Sequence, residues 1–155
     1  TKKFKKSKLE TRLLIDKNAT LNLQGPINIG YGADIEVFQD ATLVINSGVS
    51  TNIGATIICG DRIEIGNNTM LGRHVTIRDN NGNHYMNRQG YKNTKPVIIG
   101  DKVWLTEQCT IMPGVKIGDG AIIGASSLVV RNVPDNSLVS GNPAEIIDED
   151  VLWKY

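Results

Sequence analysis

Aromatic residues are scarce in this chain, histidine and cysteine scarcer still, and no apolar run is long. Phe, Trp and Tyr together make up 5% of the sequence, so a core has to be packed from aliphatic side chains. No apolar stretch approaches the roughly 20 residues needed to span a bilayer, and no signal-peptide pattern is present. The two cysteines, Cys59 and Cys109, lack the close spacing of a metal or redox motif, which fits a reducing cytoplasm. Excess charge is missing too. Lys and Arg number 17 against 16 Asp and Glu, whereas a nucleic-acid-binding domain carries a marked basic surplus. The one local surplus is the opening Thr1-Lys2-Lys3-Phe4-Lys5-Lys6-Ser7-Lys8, with five lysines and no acid. It reads as a solvated, frayed lead rather than an arm that meets a membrane or a polyanionic sugar.

Glycine, by contrast, is plentiful, with 16 residues against five prolines, and it recurs at a fixed spacing. Read in sixes, the chain runs Ile53-Gly54-Ala55-Thr56-Ile57-Ile58, then Cys59-Gly60-Asp61-Arg62-Ile63-Glu64, Ile65-Gly66-Asn67-Asn68-Thr69-Met70 and Leu71-Gly72-Arg73-His74-Val75-Thr76. The first position is aliphatic or Cys, the second Gly, the fifth small or β-branched. The frame extends back through Ala41, Ile35, Ile29 and Leu23 and forward to Ile77. It resumes, shifted, at Ile99, Leu105, Ile111, Ile117, Ile123 and Val129, with fifth positions Val103, Cys109, Val115, Ala121, Ser127 and Val133. A 3.6-residue helical period cannot keep positions one and five on one face, whereas a short strand followed by a corner can. Three such sides close a triangular coil of about 18 residues, and stacked coils pair at roughly 4.8 Å. The fold class is therefore all-β, a parallel β-helix, and both cysteines fall on inward positions.

The repeat breaks between Ile77 and Ile99. The intervening run is polar, and its length is not a multiple of six, so it is expected outside the coil as a surface loop at 78–96. The full organisation expected is a basic lead at 1–16, a β-helix at 17–147 and a tail at 148–155. The loop carries His84, Asp79 and Arg88. On the residues alone, a loop histidine is a solvated side chain as readily as a catalyst.

The run from His84 through Arg88-Gln89-Gly90 is followed by Pro96-Val97-Ile98-Ile99-Gly100-Asp101-Lys102-Val103-Trp104. With Met112-Pro113-Gly114-Val115 and the closing Gly141-Asn142-Pro143-Ala144, it resembles the hexapeptide-repeat acetyltransferases, above all the maltose, galactoside and polysaccharide O-acetyltransferases. The resemblance covers roughly residues 20–147. It implies a left-handed coil, acetyl-CoA as co-substrate without a metal, a saccharide acceptor, and a homotrimer with sites between subunits.

The resemblance also suggests roles for individual residues. His84 becomes the general base on the acceptor hydroxyl, a task suited to an imidazole whose unperturbed pKa lies near 6.5. Asp79 would orient that base or bind sugar. Arg88 would contact substrate, and His74, on an outward corner, would either face the acceptor or simply face solvent. Trp104 would lie near the thiol end of the cofactor or pack in the trimer. Thr106, Ala125, Ser126 and Arg131 fall along the expected cofactor path. Arg131 stands where a Lys is usual, and Thr106 and Ser126 stand where Gly is usual. Two further readings stay open: an N-acetyltransferase on an amino sugar or its nucleotide-linked form, and a non-catalytic scaffold or carbohydrate-binding module. A carbonic anhydrase on this scaffold would need three zinc-binding histidines, and the chain has two.

Overall fold

The computed structural model describes residues 8–82 and 84–154, so the polybasic lead, apart from Lys8, lies outside the described residues. The rest winds into a left-handed parallel β-helix of about five turns. One face stacks Arg12–Ile15, Asp34–Val37, Thr56–Cys59, Thr76–Arg78, Thr110–Ile111 and Leu128–Val129. The second stacks Thr20–Leu23, Thr42–Ile45, Arg62–Ile65, Val97–Ile99 and Lys116–Ile117. The third stacks Ser50–Thr51, Met70–Leu71, Trp104–Leu105, Ile122–Ile123 and Leu138–Gly141, and Ala144–Asp148 folds back antiparallel on its edge. Because Arg12–Ile15 pairs with Asp34–Val37, coil pairing starts ahead of residue 17, where the sequence pattern placed it.

Each strand turns alternate residues inward, and the interior is a column of Val, Ile, Leu, Ala and the two cysteines. From Ile99 to Val129 the six-residue frame is kept. The coil after it is two residues shorter, with Ile117 paired to Val133 and Ile122 to Leu138. Val103, Cys109, Val115, Ala121, Ser127 and Val133 are all buried, and stacked partners such as Thr110 and Leu128 lie one regular coil apart.

The N-terminal half departs from that frame. There Asp34 pairs with Thr56 and Thr42 with Arg62, which makes those coils longer than 18 residues. The additions are two residues at a time, so four-residue strands such as Leu43/Ile45 and Ile57/Cys59 each bury two side chains. An even insertion preserves the in–out alternation. It also moves the frame at Ile53, which is half-buried while Thr51 and Ala55 point inward. Leu23, in register with buried Ile45, and Ile29, packed against the core, keep their inward positions and are open because they lie on the terminal coil.

Carboxylates tie the corners together. Asp101 Oδ1 accepts the Asn67 N–H at 2.6 Å, Asp119 Oδ1 the Asp101 N–H at 2.8 Å, and Asp135 Oδ1 the Asp119 N–H at 3.0 Å. Each acid serves the coil before it, leaving fewer corner amides without a partner.

Candidate active site

The loop leaves the coil after Arg78 on the first face and returns at Val97 on the second. Its neck is closed by hydrogen bonds. Asn80 and Thr94 form an antiparallel bridge, Lys95 N–H donates to Asp79 O at 2.8 Å, and Asn81 Nδ2 donates to the Tyr91 hydroxyl at 3.0 Å. Asn80 is buried, its amide donating to Asp79 Oδ1 at 2.9 Å and its Oδ1 accepting the Gly82 N–H at 2.9 Å. Beyond this neck His84, Tyr85, Met86 and Arg88 are all exposed, Tyr85 to 74%.

Asp79, expected beside His84, is not presented on the loop. It is fully buried, and its carboxylate accepts the Gly60 N–H at 2.6 Å and the Asp61 N–H at 2.8 Å. It is a corner acid of the same kind as Asp101 and Asp119, placed where the loop begins. A carboxylate engaged in this way stays in the scaffold, away from the loop surface where a sugar or an imidazole would meet it.

The remaining candidates gather elsewhere. Trp104 points outward from the third face, 39% exposed, and Thr106 follows it. His74, Ala125 and Ser126 lie on the corner between the third and first faces, exposed. His74 and Ser126 both adopt left-handed backbone, with φ of 55° and 57°. The Thr106 hydroxyl donates to Ile123 O at 2.6 Å, so it binds its own coil stack and does not stand free in the groove. Along that lane residues alternate in size from coil to coil: Gly72, Thr106, Gly124, Ser140. A Cβ on Gly72 would come within 2.8 Å of Thr106 backbone, and one on Gly124 within 2.5 Å of Ser140 Oγ. The glycines therefore make room for the larger neighbours.

Trp104 also has a partner that sequence reasoning placed in a tail. Trp153 packs against it with ring centroids 5.8 Å apart at 43°, and the Trp153 indole donates to Lys102 O at 2.9 Å. Arg131 lies on the corner between the first and second faces, paired with Glu145 at 2.9 Å, both exposed.

In a three-sided coil, the corner that emits the loop is opposite the third face. The structure thus separates two groups within one chain: His84 and Arg88 on one side, and Trp104, Thr106, His74, Ala125 and Ser126 on the other. Of the latter, Trp104 and Thr106 line a groove of about 560 Å³ that runs from Trp104 toward the N-terminal coils, while His74, Ala125 and Ser126 lie outside its lining. Among the described residues, no group of three His, Cys, Asp or Glu side chains is gathered to hold a metal.

The model for the bacterial transferase hexapeptide (six repeats) matches residues 96–131. A maltose O-acetyltransferase from Clostridium difficile 630 is 31% identical. The match covers 88% of this chain and 68% of that one, with a TM-score of 0.62. The chain belongs to the hexapeptide-repeat acetyltransferases. It is accordingly a transferase enzyme. WbbJ of Escherichia coli K12, whose name assigns it O-acetyl transfer in lipopolysaccharide biosynthesis, is 27% identical over 90% of this chain and 79% of its own length. A Vibrio cholerae O1 biovar eltor acetyltransferase, solved with acetyl coenzyme A, is 27% identical. It superimposes with a TM-score of 0.71, covering 82% of this chain and 70% of that one.

Proposed function

We propose that this enzyme transfers an acetyl group from acetyl-CoA to a saccharide hydroxyl, with His84 as general base in a site shared between two chains of a homotrimer. The observation that carries the reading is the opposition just described. The one exposed imidazole on a loop with a fixed neck faces away from the groove of its own chain, so it meets a groove only when that groove belongs to a neighbour. Tyr85 and Met86, exposed on the same loop, supply apolar surface for such a contact.

In the reaction His84 takes the hydroxyl proton as the oxygen attacks the thioester carbonyl, and the thiolate of coenzyme A leaves. The co-substrate fits the strip from Trp104 through Thr106 to Ala125 and Ser126, whose small side chains leave backbone groups open to an amide-bearing arm. Arg131, on the loop side of the coil, offers a planar fork to the phosphates of a co-substrate held in a neighbour's strip. Its exposed pairing with Glu145 contributes little and can be exchanged for the ligand.

The test is release of coenzyme A from acetyl-CoA with a panel of neutral, acidic and amino saccharides. Turnover on hydroxyl acceptors is expected, with kcat reduced on the order of 10²–10⁴-fold in His84→Ala. Mixing His84→Ala with Trp104→Ala subunits should restore part of the activity, because some sites then combine an intact loop with an intact groove. Turnover without loss in His84→Ala removes the base. Turnover confined to amines moves the enzyme to the N-acetylating class. No turnover with any acceptor favours a scaffold.

A further inference from the structure

The outward column of the third face changes character along its length. In register, coil upon coil, it reads Asn28, Ser50, Met70, Trp104, Ile122 and Leu138. The N-terminal third is polar and the rest is apolar, with Trp104 in the apolar part. The groove follows this column downward from Trp104 into the polar end. It is lined there by the amides of Asn28 and Asn52, the hydroxyl of Ser50 and the ring of Tyr31. Amides and hydroxyls beside an aromatic face form a surface for a polyol, not for an acyl chain.

One cation borders this polar end. Arg73 is exposed at the third-position corner, one coil below Glu107, and its guanidinium is in no ion pair among the described residues. By contrast, Arg12, Arg62 and Arg131 are each paired with an acid. A guanidinium at the rim of a polar groove with its fork unengaged is set up to bind a planar anion in bidentate fashion.

The geometry points to an acceptor subsite on the N-terminal side of Trp104, in which Arg73 selects saccharides that carry a carboxylate. This rests on the O-acetyltransferase reading and narrows it to acidic sugars. The hydroxyl to be acetylated would lie at the Trp104 end, with the carboxylate-bearing part of the sugar extending toward Arg73.

The matched probes are methyl glucuronide and methyl glucoside, and their oligomeric counterparts, assayed with acetyl-CoA at saturating concentration. The uronate series is expected to have the higher kcat/KM. Arg73→Gln should narrow the uronate-to-glucoside ratio by about ten-fold or more, the loss of one charge-assisted contact, and the change should fall on the acceptor KM. Arg73→Lys should recover part of it. Saturation-transfer NMR of the glucuronide with the donor-free protein gives a second readout, and its signal should weaken in Arg73→Gln. Equal use of both series, or a ratio that Arg73→Gln leaves in place, overturns the acidic-sugar inference while the saccharide reading stands. Transfer to neither series overturns both.

Discussion

Asp79 Oδ1 accepts the Gly60 N–H at 2.6 Å, and Asp79 Oδ2 accepts the Asp61 N–H at 2.8 Å, so one buried carboxylate ties the foot of the loop to the coil before it. Sequence reasoning gave this acid to the substrate. The structure gives it to the scaffold, and that difference can be measured. Asp79→Ala leaves two amides unsatisfied in a closed corner and should cost on the order of 2–4 kcal/mol, read as a lower midpoint in urea. Asp79→Asn keeps one acceptor and should fall between the two. A variant that loses activity while keeping full stability would return Asp79 to the chemistry.

His74 overlies Gly54 of the preceding coil. A Cβ built on Gly54 comes 2.4 Å from His74 Nδ1, and Gly54 sits at φ 69°. Gly54→Ala therefore combines a ring clash with a left-handed backbone that alanine resists, and should destabilise by about 1–3 kcal/mol. Adding His74→Gly removes the clash and leaves only the backbone cost, so the two changes should be non-additive in a thermal-melt cycle.

The chain has two tryptophans, and they touch. Intrinsic tryptophan fluorescence consequently reports on the junction of the C-terminal tail and the groove. Trp153→Ala should shift the emission of Trp104 to longer wavelength and raise the KM for acetyl-CoA, while Trp153→Phe, which keeps the ring contact, should do less of both. An unshifted spectrum in Trp153→Ala would show that the tail does not hold Trp104 in place in solution.

Burial pushes both thiols up from 9.0 to about 12, Cys59 further through the nearby Asp79 carboxylate. Both should resist alkylation in the native protein at pH 8 and react readily in denaturant. The sign for stability follows from the raised values. Unfolded thiols ionise from about pH 9 while native ones stay protonated, so this contribution is complete below pH 9 and is lost between pH 9 and about 12. Thermal midpoints measured from pH 8 to pH 11 should decline across that window, and rapid native alkylation at pH 8 would contradict the burial.

The six-residue frame was legible wherever each side of the coil held six residues, which is why the buried set from Ile99 to Val129 follows directly from spacing. It misled near Ile53, because two-residue additions keep strand alternation intact and so leave no break in the hydrophobic pattern. The loop was legible as a stretch with no inward positions. The partners of Asp79 and of Trp153 were not, since both contacts run between coils and join residues with no mutual signal in the sequence. The groove was hidden for the same reason: its wall is stacked from short segments of four successive coils, which are far apart in the sequence.

Across the loop, all three faces keep one offset. Thr76 pairs with Thr110, Met70 with Trp104 and Ile63 with Val97, so the insertion neither tilts the stack nor shifts it. The bridge between Asn80 and Thr94 isolates everything distal to it, and that makes the loop a cassette. Its tip can be lengthened, shortened or exchanged with a relative's, and the coil beneath should fold as before. Side chains at the tip can thus change while the coil stack and its groove are inherited intact.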